Sequence, residues 1–198
     1  NILEVISDIS SELDFNKATD IVIRSLRKLY TFEGYTLILV DNETQTYKYH
    51  SYYFPFDITP ELKKLVESEY PINPSGGRIA QAIKENRYFY FADVNKIKIQ
   101  DNLNKKASDL LKIRSVLVIP FGGDDEVFGV IAIYGHKNTL KFSHDDISII
   151  KNFFDQIATV FRNAYFYTTL DKKNREVEKV YRVIKKINDT QSFDEILN

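Results

Sequence analysis

Apolar residues recur at helical spacing near both ends of the chain and gather into short strand-like runs between them. Ile2, Val5, Ile6 and Ile9 form a short helical stripe. After a break near residues 12–14 the period resumes at Phe15, Ala18, Ile21, Val22, Leu26 and Leu29, with Asp14 placed to cap it. Gly34 is expected to end this helical stretch. Residues 35–40 read as a buried strand, 41–44 as a turn and 45–53 as a strand of alternating character.

The middle of the chain is mixed. Pro60 suits a first helical turn, and Leu62, Leu65 and Val66 mark one face of a helix over 61–69. Pro71 and Pro74 punctuate, and Ser75-Gly76-Gly77 opens a third helix through Ile79, Ala80 and Ile83. Residues 88–91 predict a short aromatic strand stopped by Asp93, and 105–111 a weak helix. The runs 115–121 and 126–134 are apolar on both faces and joined by a Gly122-Gly123 turn, which predicts a central antiparallel hairpin.

Ser143 then caps a helix whose stripe runs through Ile147, Ile150, Phe154, Ile157, Phe161 and Ala164. Val177, Val180, Ile184 and Ile187 continue the helical pattern. From Ile147 to Ile187 such a helix spans about 60 Å at 1.5 Å per residue. That exceeds what one domain covers, so a partner helix is expected along part of it. The tail also echoes the opening: Val183, Ile184, Ile187, Phe193 and Ile196 match Val5, Ile6, Ile9, Phe15 and Ala18 at a constant offset. Residues 1–170 are therefore expected to form one domain, and 171–198 a linker helix leading into a truncated second module. The element order predicts an α+β fold with one mainly antiparallel sheet and the terminal helices packed on one face.

Composition narrows the chemistry. The chain of 198 residues carries a net charge of −1, so neither nucleic acid nor a membrane surface is an expected partner. Its apolar runs are too short to cross a bilayer, and a cytoplasmic location is the expectation. Cysteine is absent, which excludes disulfides, thiolate metal sites and Cys nucleophiles. Methionine is absent too, so residue 1 is not expected to be a natural start. His50, His136 and His144 lack metal-ligand spacing, and no metal site or catalytic constellation is expected.

Several features fall in a familiar order. The run 115–121 ends near Pro120, and the run 127–133 centres on Gly129. Phe142 and Ser143 precede Asp146, and the following helix contains Gln156-Ile157-Ala158 and closes on Asn163-Ala164. A helix over 77–85 and a strand end bearing Asp93 come earlier. This order resembles the GAF superfamily, a ligand-sensing fold related to PAS domains, over roughly residues 2–170. The resemblance implies a regulatory domain of a larger signalling protein, with outputs such as a nucleotide cyclase or histidine kinase lying outside this segment. Packing of the terminal helices together behind the sheet would separate it from a PAS domain.

The resemblance also frames the ligand. Cyclic-nucleotide members carry a five-position signature, of which only Phe142 and Asp146 survive, so a cyclic nucleotide is not favoured. A covalent bilin and the family's sulfoxide-reductase chemistry both rely on Cys, which is missing. An unidentified small molecule is the expected effector. Ser75, Gly76, Gly77 and Arg78 form a candidate anion site at a helix N-terminus. Tyr52, Tyr53, Asp93, Arg114 and Ser115 are further candidate ligand-binding residues, because they flank the sheet where the family's cavity lies. The long helix implies a parallel homodimer that passes ligand state onward; a ligand-free dimerisation scaffold is the alternative.

Overall fold

The computed structural model describes residues 5, 7–9, 12, 14–97, 102–123 and 126–196, the side chains of 102 and 188–196 excepted. Helix α1 (Phe15–Leu29) begins at Asp14, whose carboxylate accepts the N–H groups of Asn16 and Lys17 at 2.9 and 3.2 Å. The N–H of Phe15 donates to Thr168 Oγ1 at 3.1 Å, so a side chain from the far end of the sequence satisfies another helix-end donor. Strands β1 (Gly34–Asp41) and β2 (Thr46–Tyr53) form the first hairpin. Helix α2 (Pro60–Glu67), capped by Thr59, leads into β3 (Glu69–Pro71). A 3₁₀ turn (Pro74–Gly76) and helix α3 (Gly77–Glu85) precede β4 (Phe89–Phe91). Helix α4 (Asn102–Leu110), strands β5 (Ser115–Gly122) and β6 (Val127–Gly135), and helix α5 (His144–Ile196) complete the order.

The six strands pair antiparallel in the order β3-β2-β1-β6-β5-β4. Strand β6 lies in the centre, buried along its whole length, as its two-sided apolarity predicts. One face carries Leu37, Leu117, Ile119, Phe121, Ile131 and Ile133 against α1 and α5. The other carries Ile38, Tyr47, Val116, Val118, Val130 and Tyr134 against α2, α3 and α4. The α+β class and the placement of the terminal helices therefore hold.

Helices α1 and α5 pack together with opposite directions. Phe15 meets Phe161 and Tyr165 at ring-centroid distances of 5.2 and 5.4 Å, while Tyr30, at the other end of α1, meets Phe142 at 5.6 Å. Phe121 of the sheet fits against Phe154 at 5.1 Å. Gly129 leaves the space that the Phe121 ring fills, since a Cβ there would lie 2.7 Å from Phe121 Cζ. Ser143 Oγ accepts the N–H of Asp146 at 3.1 Å, and the Asp146 carboxylate accepts the Ser143 N–H at 2.9 Å. This reciprocal cap fixes the first turn of α5, and the Ser143 hydroxyl, donating to the Asp146 carboxylate at 2.6 Å, holds that carboxyl below its usual range together with the Ser143 N–H.

Three local features differ from the pattern-based expectation. The first helix stops at Leu29, and Gly34 opens β1 instead of closing the helix; the bare Cα leaves room for the His136 ring. Strand β3 falls where only proline punctuation was legible. It is an edge strand, so Pro71 forfeits no ladder bond that the sheet needs. Strand β2 is bulged: Leu37 pairs with Ser51 and Ile38 with Tyr49, which leaves His50 as the extra residue. The side chains of Phe193 and Ile196 in the tail echo, and residues Ile2 and Ile6 of the first stripe, lie outside what the structure describes. Among the described residues, no helix is long and apolar enough to cross a membrane.

Candidate ligand cavity

Between the sheet and helices α3 and α4 lies a cavity of about 340 Å³, within the range of small-molecule pockets. Val116, Val118 and Tyr134 form part of its sheet wall, Phe91 a wall from β4, and Ile79 one from α3. Asn104, Ala107 and Ser108 of α4 cover it, with Leu111 just beyond the helix end. The apolar lining follows from strand parity: every second residue of β5 and β6 turns to this face.

Polar groups punctuate this wall. The Tyr134 hydroxyl lies 2.9 Å from Thr36 Oγ1, both buried, and burial raises the Tyr134 pKa despite that bond. Tyr49 also lines the cavity, and its pKa is pushed well up by burial and by the neighbouring Tyr134, Tyr47 and Tyr70. Its hydroxyl donates to no other described residue. The Tyr47 hydroxyl, by contrast, donates to the Gly76 carbonyl at 2.7 Å.

The residues singled out from sequence scatter around this cavity. Arg78 lines it. Gly76 is buried against the Pro71 carbonyl, and Gly77 sits at φ +70° beneath Asn104. The N–H of Arg78 donates to Asn104 Oδ1 at 2.9 Å, so a side chain of α4 already occupies this donor of the α3 N-terminus. Ser75 hydrogen bonds to Asn73. Asp93 and Arg114 pair at 3.0 Å beside the cavity residue Val94, whose N–H donates to the Arg114 carbonyl. Tyr52 stacks on Phe54 at 5.5 Å. Tyr53 and Ser115 point to the opposite face of the sheet. Tyr53 lies under Arg27 of α1 at 4.7 Å, and Ser115 Oγ accepts the Leu140 N–H at 2.7 Å. Phe142 and Asp146 likewise serve the start of α5.

Sequence reasoning passed over Phe91, Asn104 and Ser108 as cavity residues. Tyr49 was legible as the period-two neighbour of Tyr47. Phe91 was seen only as a strand residue, and the two α4 residues lie in a stretch too polar to read as a cavity cover.

The segment between β6 and α5 is held from three sides. Glu33 accepts the backbone N–H groups of His136, Lys137 and Asn138 at 2.5, 2.8 and 3.2 Å, and the Asn138 amide at 3.0 Å. Partial burial opposes ionisation of Glu33, but these donors outweigh it and lower its pKa. Ser115 holds Leu140 from the sheet. Tyr90 of β4 donates to the Leu140 carbonyl at 2.7 Å and accepts the Phe142 N–H at 3.3 Å. Tyr88 Oη lies 3.1 Å from His144 Nδ1. Strand β4 therefore turns Phe91 to the cavity and Tyr90 to the start of α5.

Comparison with known proteins agrees with this architecture. A family model described as "GAF domain" matches residues 12–162, and the chain belongs to the GAF family. The GAF domain of an Acinetobacter phosphoenolpyruvate-protein phosphotransferase is 14% identical, with a TM-score of 0.64 over 85% of this chain and 94% of that one. The GAF domain of a two-component sensor histidine kinase from Bacillus halodurans is 22% identical, with a TM-score of 0.56 over 85% of this chain and 98% of that one. Residues 122 to 287 of a methyl-accepting chemotaxis protein are 17% identical, with a TM-score of 0.62 over 82% of this chain and 97% of that one. At these identities the likeness speaks for the fold. No curated protein matches the sequence.

Proposed function

We propose that this GAF domain is a regulatory, non-catalytic sensor that binds a small molecule between the sheet and α3–α4. It passes the bound state through a dimeric α5 to an output domain such as a nucleotide cyclase or histidine kinase. The single observation that carries the reading is the two-sided role of β4. A strand of three residues forms a cavity wall with one side chain and bonds the segment leading into α5 with the next. A ligand that repositions Phe91 must therefore load the hydrogen bonds of Tyr90, because adjacent residues of one strand move together.

The far part of α5 supports the dimer. Phe166, Leu170, Val177, Val180, Ile184 and Ile187 are each at least half exposed. Their steps of four, seven, three, four and three residues trace a heptad seam with Lys173 at one position. A second α5 would cover this seam. The names of two structural neighbours, a sensor histidine kinase and a chemotaxis protein, fit a transmitting role.

Native mass spectrometry before and after denaturation tests the reading. The expected result is a dimer of the 23.1 kDa chain carrying a small-molecule mass that denaturation releases. A monomer at micromolar concentration whose native and denatured masses agree would overturn both sensing and dimeric transmission. A bare dimer would favour the scaffold alternative.

A further inference from the structure

Among the described residues that line the cavity, Arg78 alone carries a charge. Its guanidinium lies 5.0 and 5.4 Å from the ring centroids of Phe89 and Phe91, and Nη1 donates to Gln81 Oε1 at 2.6 Å. No described carboxylate pairs with it. The nearby Glu85 accepts from Gln81 Nε2 at 2.8 Å and pairs with Arg87 at 2.8 Å instead. A half-buried cation beside apolar walls is costly without a counter-ion, and stacking on two rings offsets only part of that cost. The Tyr49 hydroxyl, which bonds no other described residue, is a second polar group lining the same cavity, and Ser108 adds a further hydroxyl.

These features restrict the ligand. One cation and no carboxylate in the lining disfavour a cationic molecule. A phosphate would set up to two negative charges against a single arginine, and the Arg78 N–H that would help it is already bonded to Asn104. The planar guanidinium fork matches one carboxylate. Ile79, Phe91 and Val118 offer an apolar surface to the remainder. We infer that the cavity takes a small monocarboxylate with an apolar body, its carboxylate on Arg78. This inference rests on the cavity being the ligand site.

Isothermal titration with three probes tests it: indole-3-acetate, its amide indole-3-acetamide, and indole. Indole-3-acetate is expected to bind at least tenfold more tightly than the amide, because a hydrogen bond to a charged group contributes about 10- to 100-fold. In Arg78→Gln the preference should fall below twofold while indole binding stays within threefold of wild type. Arg78→Lys should keep part of the preference. The acid–amide comparison on the unmodified protein needs no variant to fold. Equal binding of acid and amide, or an undiminished preference in Arg78→Gln, would overturn the ligand class and leave the cavity reading standing. Binding of none of the three would overturn both.

Discussion

Introducing aspartate at both Val177 and Ile184 is expected to dissociate the protein into monomers, with the dimer dissociation constant rising at least about 100-fold. The two residues are 68% and 50% exposed in the single chain, so in a monomer the change removes no buried core contact. In a dimer they occupy equivalent positions one heptad apart, and each carboxylate would be desolvated or would force the seam open. An uncompensated buried charge costs several kcal/mol, while 100-fold in affinity needs only about 2.7 kcal/mol. Sedimentation velocity at micromolar concentration reads the result. An unchanged dimer would place the contact elsewhere on the molecule.

Truncating Phe161 to alanine should lower stability by about 3–5 kcal/mol, the range for deleting a buried aromatic ring. Phe161 has no exposed surface and joins α5 to both α1 and the sheet, meeting Phe15 at 5.2 Å and Phe121 at 6.2 Å. A domain of ordinary stability, about 5–15 kcal/mol, would lose much of its margin. At about 2–4 °C per kcal/mol for a chain of this size, the midpoint should drop by roughly 6–20 °C. Val183→Ala, on the exposed part of the same helix, should stay within about 0.5 kcal/mol. Thermal melts followed by circular dichroism compare the two. Equal melting points would mean that α5 is not part of the core.

The fold was more legible in the sequence than the site, for a physical reason. Long helices and the two-faced hairpin β5–β6 carry strong periodic signals, and Asp14 and Ser143 announce their caps. A three-residue edge strand such as β3 carries no period at all. The cavity depends on which face each side chain takes, and one extra residue reverses that parity. Simple alternation from Tyr47 and Tyr49 puts Tyr53 on their face. The bulge at His50 carries Tyr53 instead to the α1 side and brings Tyr52 to the face of Tyr49. Ser115 misled in another way: it is next to the cavity residue Val116 in sequence but on the other side of the sheet. Asn104 reaches the α3 N-terminus from 26 residues away, and no local pattern encodes such a contact.

Hydrogen exchange in a double-mutant cycle of Phe91→Ala and Tyr90→Phe tests the link from cavity to helix most directly. Phe91 lines the cavity, and Tyr90 bonds the segment that leads into α5. Phe91→Ala alone is predicted to speed exchange of the amides of residues 140–150 by about fivefold, the lower end of measured coupling between sites. In the Tyr90→Phe background the same truncation should leave those amides unchanged, because the connecting bonds are already gone. Equal effects of Phe91→Ala in both backgrounds, or no effect at residues 140–150 in either, would contradict transmission through β4.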